Sequence, residues 1–173
     1  SGALTIVYES GSYSAKRIMQ IFGQGRHTAA VTPSEAAKLA GNGYALFERV
    51  YGLGNPRKAR ELGNRQAGDG FNFRGTGLIQ TTGRSSHEEF TGKIGCPVDK
   101  LCEPLNSFHA ALLEWEEKKC NTAADKDDIK AVTRGINGGQ NGLAERRTYL
   151  AKAMRVLESI PSSEPKKPKL VTP

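Results

Sequence analysis

The segment Gly68-Asp-Gly-Phe-Asn-Phe-Arg-Gly-Thr-Gly-Leu-Ile-Gln-Thr-Thr-Gly-Arg84 decides the fold of this chain. Six glycines lie between Gly63 and Arg84, a density that is too high for a helix and is typical of tight turns and close backbone approach, as a binding cleft needs. The nucleotide-binding fingerprints fail, because Gln80 stands where a third glycine is required and no Gly-Lys-Ser/Thr ending occurs. The remaining amide, hydroxyl and guanidinium groups suit a sugar polymer.

The composition predicts a globular domain with an anionic partner. The 173 residues carry a net charge of +7, which favours nucleic acid, anionic lipid or the acidic surface of bacteria. Nucleic acid is the weaker interpretation, because no basic run is interleaved with aromatic residues. No apolar run reaches the length of a membrane span, and the N-terminus lacks the basic leader of a signal peptide.

Metal and cofactor chemistry find no support in the residue spacing. The three histidines, His27, His87 and His109, lack paired ligand spacing, so we expect no metal and no cofactor. His87 is predicted to be a surface residue of a helix. The three cysteines, Cys96, Cys102 and Cys120, are expected to be thiols in a reducing compartment, with a Cys96–Cys102 bridge as the alternative.

Helices with recognisable ends cover most of the chain. Thr32-Pro33-Ser34-Glu35 has the pattern of a capping box that opens a helix, and a preceding helix from Ser14 to Phe22 should stop at Gly23. Further helices are predicted at Leu105–Lys119, at Asp127–Ile136 and, capped by Asn141, from about Gly142 to Ser159, with Leu143, Leu150, Val156 and Leu157 facing inward.

Only two short strands are predicted, at 78–82 and 5–8. The fold class is therefore mainly α with a minor β element. We expect one domain at residues 1–159, followed by a flexible tail rich in proline and lysine at 160–173.

Two motifs in order resemble glycoside hydrolase family nineteen, the chitinases and their relatives among phage endolysins. The first runs from Val50-Tyr51-Gly52 through Glu61-Leu-Gly-Asn64 to Gly68–Arg84, and the second is Ile136-Asn-Gly-Gly-Gln-Asn-Gly-Leu143 with Arg146. The similarity extends from about Ser1 to Leu157. It implies a lysozyme-like, two-lobed helical fold around a cleft and an inverting hydrolysis of β-1,4 bonds by two glutamates.

The resemblance also assigns roles to individual residues. Glu9 is the expected catalytic carboxylate, and Thr82 the hydroxyl that positions the attacking water. Substrate contacts are expected from the residues Gln80, Arg74, Asn137 and Arg146. A structural role at the end of a short strand remains open for Gln80, and a solvated or salt-bridged side chain for Arg146. Ser86-His87 departs from the Asn-Tyr that relatives often carry.

Two alignments of the N-terminal region remain open. In the first, Glu9 followed by Ser12-Tyr13-Ser14-Ala15 matches the second family glutamate and the Asn-Tyr-Ser-Ala after it, so the first glutamate should lie just before residue 1. In the second, Tyr8-Glu9-Ser10-Gly11 corresponds to the family's His-Glu-Ser-Gly. Glu9 is the expected catalytic group in both.

The leading hypothesis is a monomeric phage or prophage endolysin that hydrolyses the glycan of peptidoglycan. It would be made in the host cytoplasm and act in the periplasm or outside the cell, with its basic charge and tail drawn to the anionic bacterial surface. The alternatives are a chitinase and a non-catalytic glycan-binding or structural module.

Overall fold

The computed structural model describes residues 8–160, and this part of the chain is mainly helical. Within it lie ten α-helices and a 3-10 helix at Val98–Lys100. The helices are α1 (Ala15–Phe22), α2 (Pro33–Leu39), α3 (Gly43–Val50), α4 (Pro56–Leu62), α5 (Asp69–Asn72), α6 (Arg84–Ile94), α7 (Pro104–Glu117), α8 (Cys120–Ala124), α9 (Ile129–Asn137) and α10 (Leu143–Ser159). The predicted mainly α class is confirmed, and the helical content is consistent with a lysozyme-like fold.

The chain divides into two compact units, one ending at Glu114 and the other beginning at Trp115. The described part of the first unit therefore contains α1 to α6 and most of α7, and that of the second contains α8 to α10. The division of the chain into a domain at 1–159 and a tail stays a prediction, and residues 161–173 lie outside the described residues. Within the described range, no helix is both long enough and apolar enough to cross a membrane.

The predicted capping box of α2 is confirmed. The Thr32 side chain accepts the Glu35 backbone N–H, and the Glu35 carboxylate accepts the Thr32 backbone N–H over 2.9 Å. Pro33 occupies the first helical position, where no backbone donor is needed. Gly23 ends α1, as the sequence predicts.

The main core of the first unit lies among α1, α2 and α3. Its fully enclosed side chains are Ile18, Phe22, Val31, Ala36, Leu46, Phe47 and Val50. A smaller cluster at α6 and α7 consists of Phe90, Leu101 and Ala110. These buried apolar side chains pack α1, α2 and α3 together, and α3 also contacts α5 of the glycine-rich segment.

The predicted strand at 78–82 is wrong. Its only pairing in the described chain is an isolated bridge from Thr76 to Thr81, because the backbone turns between them and Gln80 takes the left-handed φ of +57°. Tyr8 bridges Thr76 antiparallel, and the rest of the predicted strand at 5–8 lies outside the described residues.

Two expectations for the second unit are also wrong. Gly142, rather than Asn141, is the N-cap of α10, and no side-chain cap bond is present there. The side chains of Leu150, Val156 and Leu157 are about half or more exposed, and Leu143 is only half-buried. Apolar spacing shows which residues share a helix face, but it does not show what covers that face.

His87 is buried rather than at the surface. Only 2% of the residue is exposed, because its ring packs edge-on against Phe73 at 5.3 Å and its Nδ1 lies 2.9 Å from the Gly83 carbonyl oxygen.

Cys96 and Cys102 form no disulfide with each other in the described chain, so the alternative bridge is absent.

Candidate functional site

Glu9 is held by a short pairing of extended backbone. Its N–H donates to the Gly75 carbonyl oxygen over 2.7 Å, and its own carbonyl oxygen accepts the Arg74 Nε–H over 3.2 Å. The neighbouring Tyr8–Thr76 bridge continues this pairing. The glycine-rich segment thus fixes the backbone on which Glu9 is carried.

Two tyrosine hydroxyls donate to the Glu9 carboxylate. The Tyr13 hydroxyl lies 3.0 Å from Oε1, and the Tyr51 hydroxyl lies 3.5 Å from Oε2. Tyr13 precedes the Ser14 cap of α1, and Tyr51 is the C-cap of α3. The packing of α1 and α3 therefore sets the position of both donors.

Burial raises the pKa of Glu9, because charge is less well solvated there than in water. The tyrosine donors and Arg74 oppose this rise without reversing it. Burial and the nearby Glu9 charge raise the pKa of Tyr13 to about 12 and that of Tyr51 further, so both hydroxyls keep their protons at neutral pH. Glu9 is therefore a carboxyl group that gains and loses its proton at a pH closer to neutral than an exposed glutamate does.

Gly75 separates Glu9 from Gln80. An alanine Cβ at position 75 would lie 2.7 Å from Gln80 Oε1 and 3.1 Å from Glu9 Oε2. The absence of a side chain therefore allows the amide oxygen of Gln80 and the carboxylate of Glu9 to approach the same backbone position. Gln80 Nε2 donates to the Gly77 carbonyl oxygen over 3.0 Å, which orients the amide.

Comparison with known proteins yields one relative with a family name. A glycosyl hydrolase family 19 domain-containing protein of Haemophilus influenzae is 34% identical over 132 residues, which cover 73% of this chain. The resemblance to glycoside hydrolase family nineteen is confirmed. The chain spans 60% of the length of that relative. No family model matches the chain.

The two remaining predicted residues of the first unit are bonded to backbone. Thr82 donates its hydroxyl to the Gln80 carbonyl oxygen over 2.8 Å. The Arg74 guanidinium lies over the ring of Tyr8 and over that of Phe71, 4.6 and 4.1 Å from their centroids, and it also donates to the Phe71 carbonyl oxygen. Their roles in a family nineteen site, as water-positioning and sugar-binding residues, stay predictions.

The other two predicted contacts belong to the second unit. Asn137 Nδ2 donates to the Asn141 carbonyl oxygen over 2.9 Å, a bond that shapes the turn of the second family nineteen motif. Arg146 lines a small cavity of about 210 Å³ within this unit, together with Trp115 and Leu150. Their predicted sugar contacts remain untested.

Two other carboxylates near the glycine-rich segment, those of Glu48 and Asp69, have structural partners. Glu48 accepts the backbone N–H groups of Gly68 and Phe71. Asp69 is paired with Arg84, whose Nε lies 2.9 Å from Oδ2. Glu9 differs from both, because its carboxylate accepts from side-chain hydroxyls and its pKa is raised by burial. Its catalytic role stays a prediction.

Tyr13 and Tyr51 were missed by the sequence reasoning as partners of Glu9. The spacing of four residues between Glu9 and Tyr13 could have indicated the first contact, but Tyr51 is 42 positions away.

Within residues 8–160, no group of three or more His, Cys, Asp and Glu side chains is placed to hold a metal ion.

Proposed function

We propose that this chain is the catalytic region of a glycoside hydrolase that cleaves β-1,4 bonds in bacterial peptidoglycan, as an endolysin does. The Glu9 carboxyl carries the proposal, because it is half-buried, hydrogen-bonded by Tyr13 and Tyr51, and raised in pKa. The family name of the relative supports a glycosidase chemistry. We further propose that the protein is a monomer made in the host cytoplasm that acts on the cell wall.

The chemistry of Glu9 follows from the needs of glycoside hydrolysis. A glycosidic oxygen leaves only when it is protonated, and in an inverting enzyme a second carboxylate takes a proton from the attacking water. The two groups lie about 6.5–9.5 Å apart so that the water fits between them. Glu9 is proposed as one member of this pair.

Oε2 is the proposed proton-transferring atom of Glu9. Its contact with the Tyr51 hydroxyl is 3.5 Å, whereas Oε1 accepts from Tyr13 at 3.0 Å, so Oε2 is the less tightly held oxygen. It is also the oxygen beside Gly75, where the amide oxygen of Gln80 approaches the same backbone position. A sugar or water at this position would meet a carboxyl oxygen and an amide together.

The net charge favours peptidoglycan over chitin. A protein with a charge of +7 is attracted to polymers that carry carboxylates or phosphates, and the bacterial wall has such groups on its peptides and associated polymers. Chitin is uncharged, so the positive charge of the protein does not strengthen its binding to chitin. The neutral donors and acceptors around Glu9 suit the N-acetylated sugars of both polymers.

The test is to incubate the natural full-length protein separately with purified peptidoglycan and with chitin, and to analyse soluble products by reducing-end assay and mass spectrometry. We expect muropeptides with new reducing ends, and NMR at early times should show the inverted anomer. Release of chitooligosaccharides without muropeptides would contradict this proposal and indicate that the protein is a chitinase. Binding to peptidoglycan without new reducing ends would indicate instead that the protein is a non-catalytic glycan-binding module.

A further inference from the structure

Glu48 belongs to α3 but caps a different helix, α5. Its Oε2 accepts the Gly68 N–H over 3.1 Å, and its Oε1 accepts the Phe71 N–H over 3.0 Å. Gly68 is the N-cap of α5 and Phe71 is its third residue, so these are the two N–H groups that a capping box satisfies. One side chain from another helix therefore holds the start of α5, which has no side-chain cap of its own.

Two glycines leave room for the Glu48 carboxylate. A Cβ at Gly70 would lie 2.8 Å from Oε1, and a Cβ at Gly52 would lie 2.8 Å from Oε2. Both glycines belong to the first family nineteen motif, whose backbone thus contains the space that the carboxylate occupies. The close approach of α3 and α5 depends on these positions having no side chain.

Phe71 connects the capped start of α5 to Arg74. The Phe71 carbonyl oxygen accepts the Arg74 Nη1–H over 2.7 Å, and the guanidinium lies over the Phe71 ring at 4.1 Å from its centroid. Arg74 Nε in turn donates to the Glu9 carbonyl oxygen over 3.2 Å. Because Glu48 fixes the N–H of Phe71, a shift of Phe71 would also move the group that holds the Glu9 backbone.

The same helix contacts the Glu9 side chain as well. Tyr51 follows Glu48 by three positions, a spacing that places two side chains on one helix face, and its hydroxyl lies 3.5 Å from Oε2 of Glu9. α3 therefore contacts the Glu9 carboxylate directly through Tyr51 and is linked to the Glu9 backbone carbonyl through the contacts that begin at Glu48.

We propose that Glu48 is a positioning residue for the hydrolysis, which fixes the place of Glu9 through Phe71 and Arg74 without itself touching the substrate. Its effect on the reaction rests on the proposed function, whereas its effect on the position of Glu9 does not. A carboxylate suits this place because both partners are donors. An amide would offer one acceptor and would set its own N–H against the second donor, and hydrogen bonds to a charged acceptor are the stronger ones.

The first test needs no enzymatic activity. NMR on the natural full-length protein and its Glu48→Gln variant follows the exchange of the Arg74 Nε–H with water and the titration of the Glu9 carboxyl carbon. We expect the Nε–H to exchange about tenfold faster in the variant, the usual effect of weakening one hydrogen bond. Changes confined to the amides of Gly68 and Phe71, with Arg74 and Glu9 as in the parent, would overturn the proposal.

The Glu9 titration has an expected direction. Burial raises the pKa of Glu9, and the charge of Arg74 is one of the effects that oppose this rise. With Arg74 held less firmly in Glu48→Gln, the pKa of Glu9 should therefore rise further. A carbon titration at the parent pH would contradict the link between Glu48 and Glu9.

The second test is the maximal rate of reducing-end release from soluble peptidoglycan fragments. A displacement of about 1 Å at a catalytic group commonly costs about a hundredfold, and we expect Glu48→Gln to lose at least about tenfold. Glu48→Asp keeps the charge but is one methylene shorter, so it should lose less, and it tests the proposal if Glu48→Gln does not fold. A parent rate in the folded Glu48→Gln protein would overturn the proposal.

Glu35→Gln is the matched control. The Glu35 carboxylate also accepts a backbone N–H at the start of a helix, that of Thr32 at α2, and the chemical change is the same. This variant should keep the parent rate and the parent exchange of the Arg74 Nε–H. A loss of rate as large as that of Glu48→Gln would show that any weakened helix start slows the reaction, and would overturn the specific role of Glu48.

The path through Arg74 can be tested by a double variant. Arg74→Lys removes the Nε–H that the Glu9 carbonyl oxygen accepts, so in this background Glu48→Gln should lower the maximal rate by about twofold at most. Losses that multiply in the double variant would contradict the path.

The NMR and rate measurements separate this proposal from the proposed function. If Glu48→Gln speeds the exchange of the Arg74 Nε–H and shifts the Glu9 titration while the parent releases no reducing ends, the proposed hydrolysis fails and the positioning of Glu9 stands. If the parent hydrolyses peptidoglycan and Glu48→Gln does so at the same rate, the positioning role fails alone.

Discussion

The Tyr13 hydroxyl donates to Oε1 of Glu9 over 3.0 Å, and this bond connects the start of α1 to the carboxyl group of the candidate site. Hydrogen bonds to a carboxylate favour its charged form and so lower its pKa. Burial acts in the opposite direction and has the larger effect on Glu9. The pKa of Glu9 therefore depends on the opposing effects of burial and of its hydrogen bonds, and a single substitution can change either one.

Tyr13→Phe should raise the pKa of Glu9 further, because a donor to the charged form is removed while burial remains. The limb of the pH profile of hydrolysis that reports Glu9 should move to higher pH, and NMR titration of the Glu9 carboxyl carbon should show the same direction. Tyr44→Phe is the matched control, since Tyr44 is 54% exposed. A shift of equal size in the control, or a shift to lower pH, would contradict the role of the Tyr13 hydroxyl.

Gly75→Ala should reduce hydrolysis at least tenfold while the protein stays folded. The added Cβ would lie 2.7 Å from Gln80 Oε1 and 3.1 Å from Glu9 Oε2, so one of these side chains must move. A displacement of about 1 Å at a catalytic group commonly costs about a hundredfold in rate. Activity and circular dichroism should be measured together.

Gly92→Ala is the control for this change. A Cβ at position 92 in α6 would meet no atom within 4 Å, and alanine favours helix over glycine by about 0.5–1 kcal/mol. This variant should keep full activity and be slightly more stable. If Gly75→Ala retained activity equal to that of Gly92→Ala, the close approach at Gly75 would have no functional consequence.

Asp69→Asn should lower the free energy of unfolding at pH 7 by about 3 kcal/mol, because it removes a buried charged partner of Arg84, which keeps only its contact with the more exposed Glu88. Asp69 is only 1% exposed and accepts hydrogen bonds from Arg84 and from the backbone of Arg65 and Gln66. Urea unfolding of both proteins measures the difference. Asp125→Asn, at an exposed acid, should have little effect.

The contribution of Asp69 should depend on pH in a defined direction. Burial alone would raise the pKa of Asp69, but the donors from Arg84 and the two backbone amides lower it below the usual value. A group with a lowered folded-state pKa stabilises above its unfolded pKa, about 3.9 for aspartate, and loses this effect as the pH falls through the folded value. The difference between the parent and Asp69→Asn should therefore shrink below about pH 4. A constant difference from pH 7 to pH 2 would contradict the ion pair as its source.

Thr32→Ala should destabilise the protein by about 1 kcal/mol, the usual effect of losing an N-cap. The Thr32 side chain accepts the Glu35 N–H and is one half of the capping box at α2. Ser34→Ala, inside the same helix turn, is the control and should change stability by less. Equal effects of the two changes on the urea midpoint would show that the cap bond does not stabilise α2.

Local hydrogen-bonding patterns could be predicted from the sequence because both partners lie within a few residues. Thr32 and Glu35 are three positions apart, and Gly23 follows the last apolar residue of its helix, so both helix ends are visible in the sequence. The glycine-rich centre likewise indicates turns. The mainly helical class follows from such patterns and from the resemblance to family nineteen.

Contacts between distant residues could not be predicted in this way. Tyr51 reaches Glu9 across 42 positions, and His87 is buried because Phe73 packs against its ring. The exposed apolar residues of α10 show the same limit, since periodicity places Leu150 and Leu157 on a helix without specifying a neighbour. The turn at Gln80 replaces the predicted strand because that residue takes a left-handed conformation that no propensity indicates.

The most direct test of the central claim, that Glu9 is a catalytic carboxyl group, is the rate of reducing-end release from purified peptidoglycan by Glu9→Gln, with Glu89→Gln as the control. Glutamine keeps the size of the side chain but cannot transfer a proton. We expect Glu9→Gln to lose at least a hundredfold in kcat while it keeps its binding to peptidoglycan, and Glu89→Gln to match the parent. A Glu9→Gln protein that hydrolyses peptidoglycan at the parent rate would contradict the assignment.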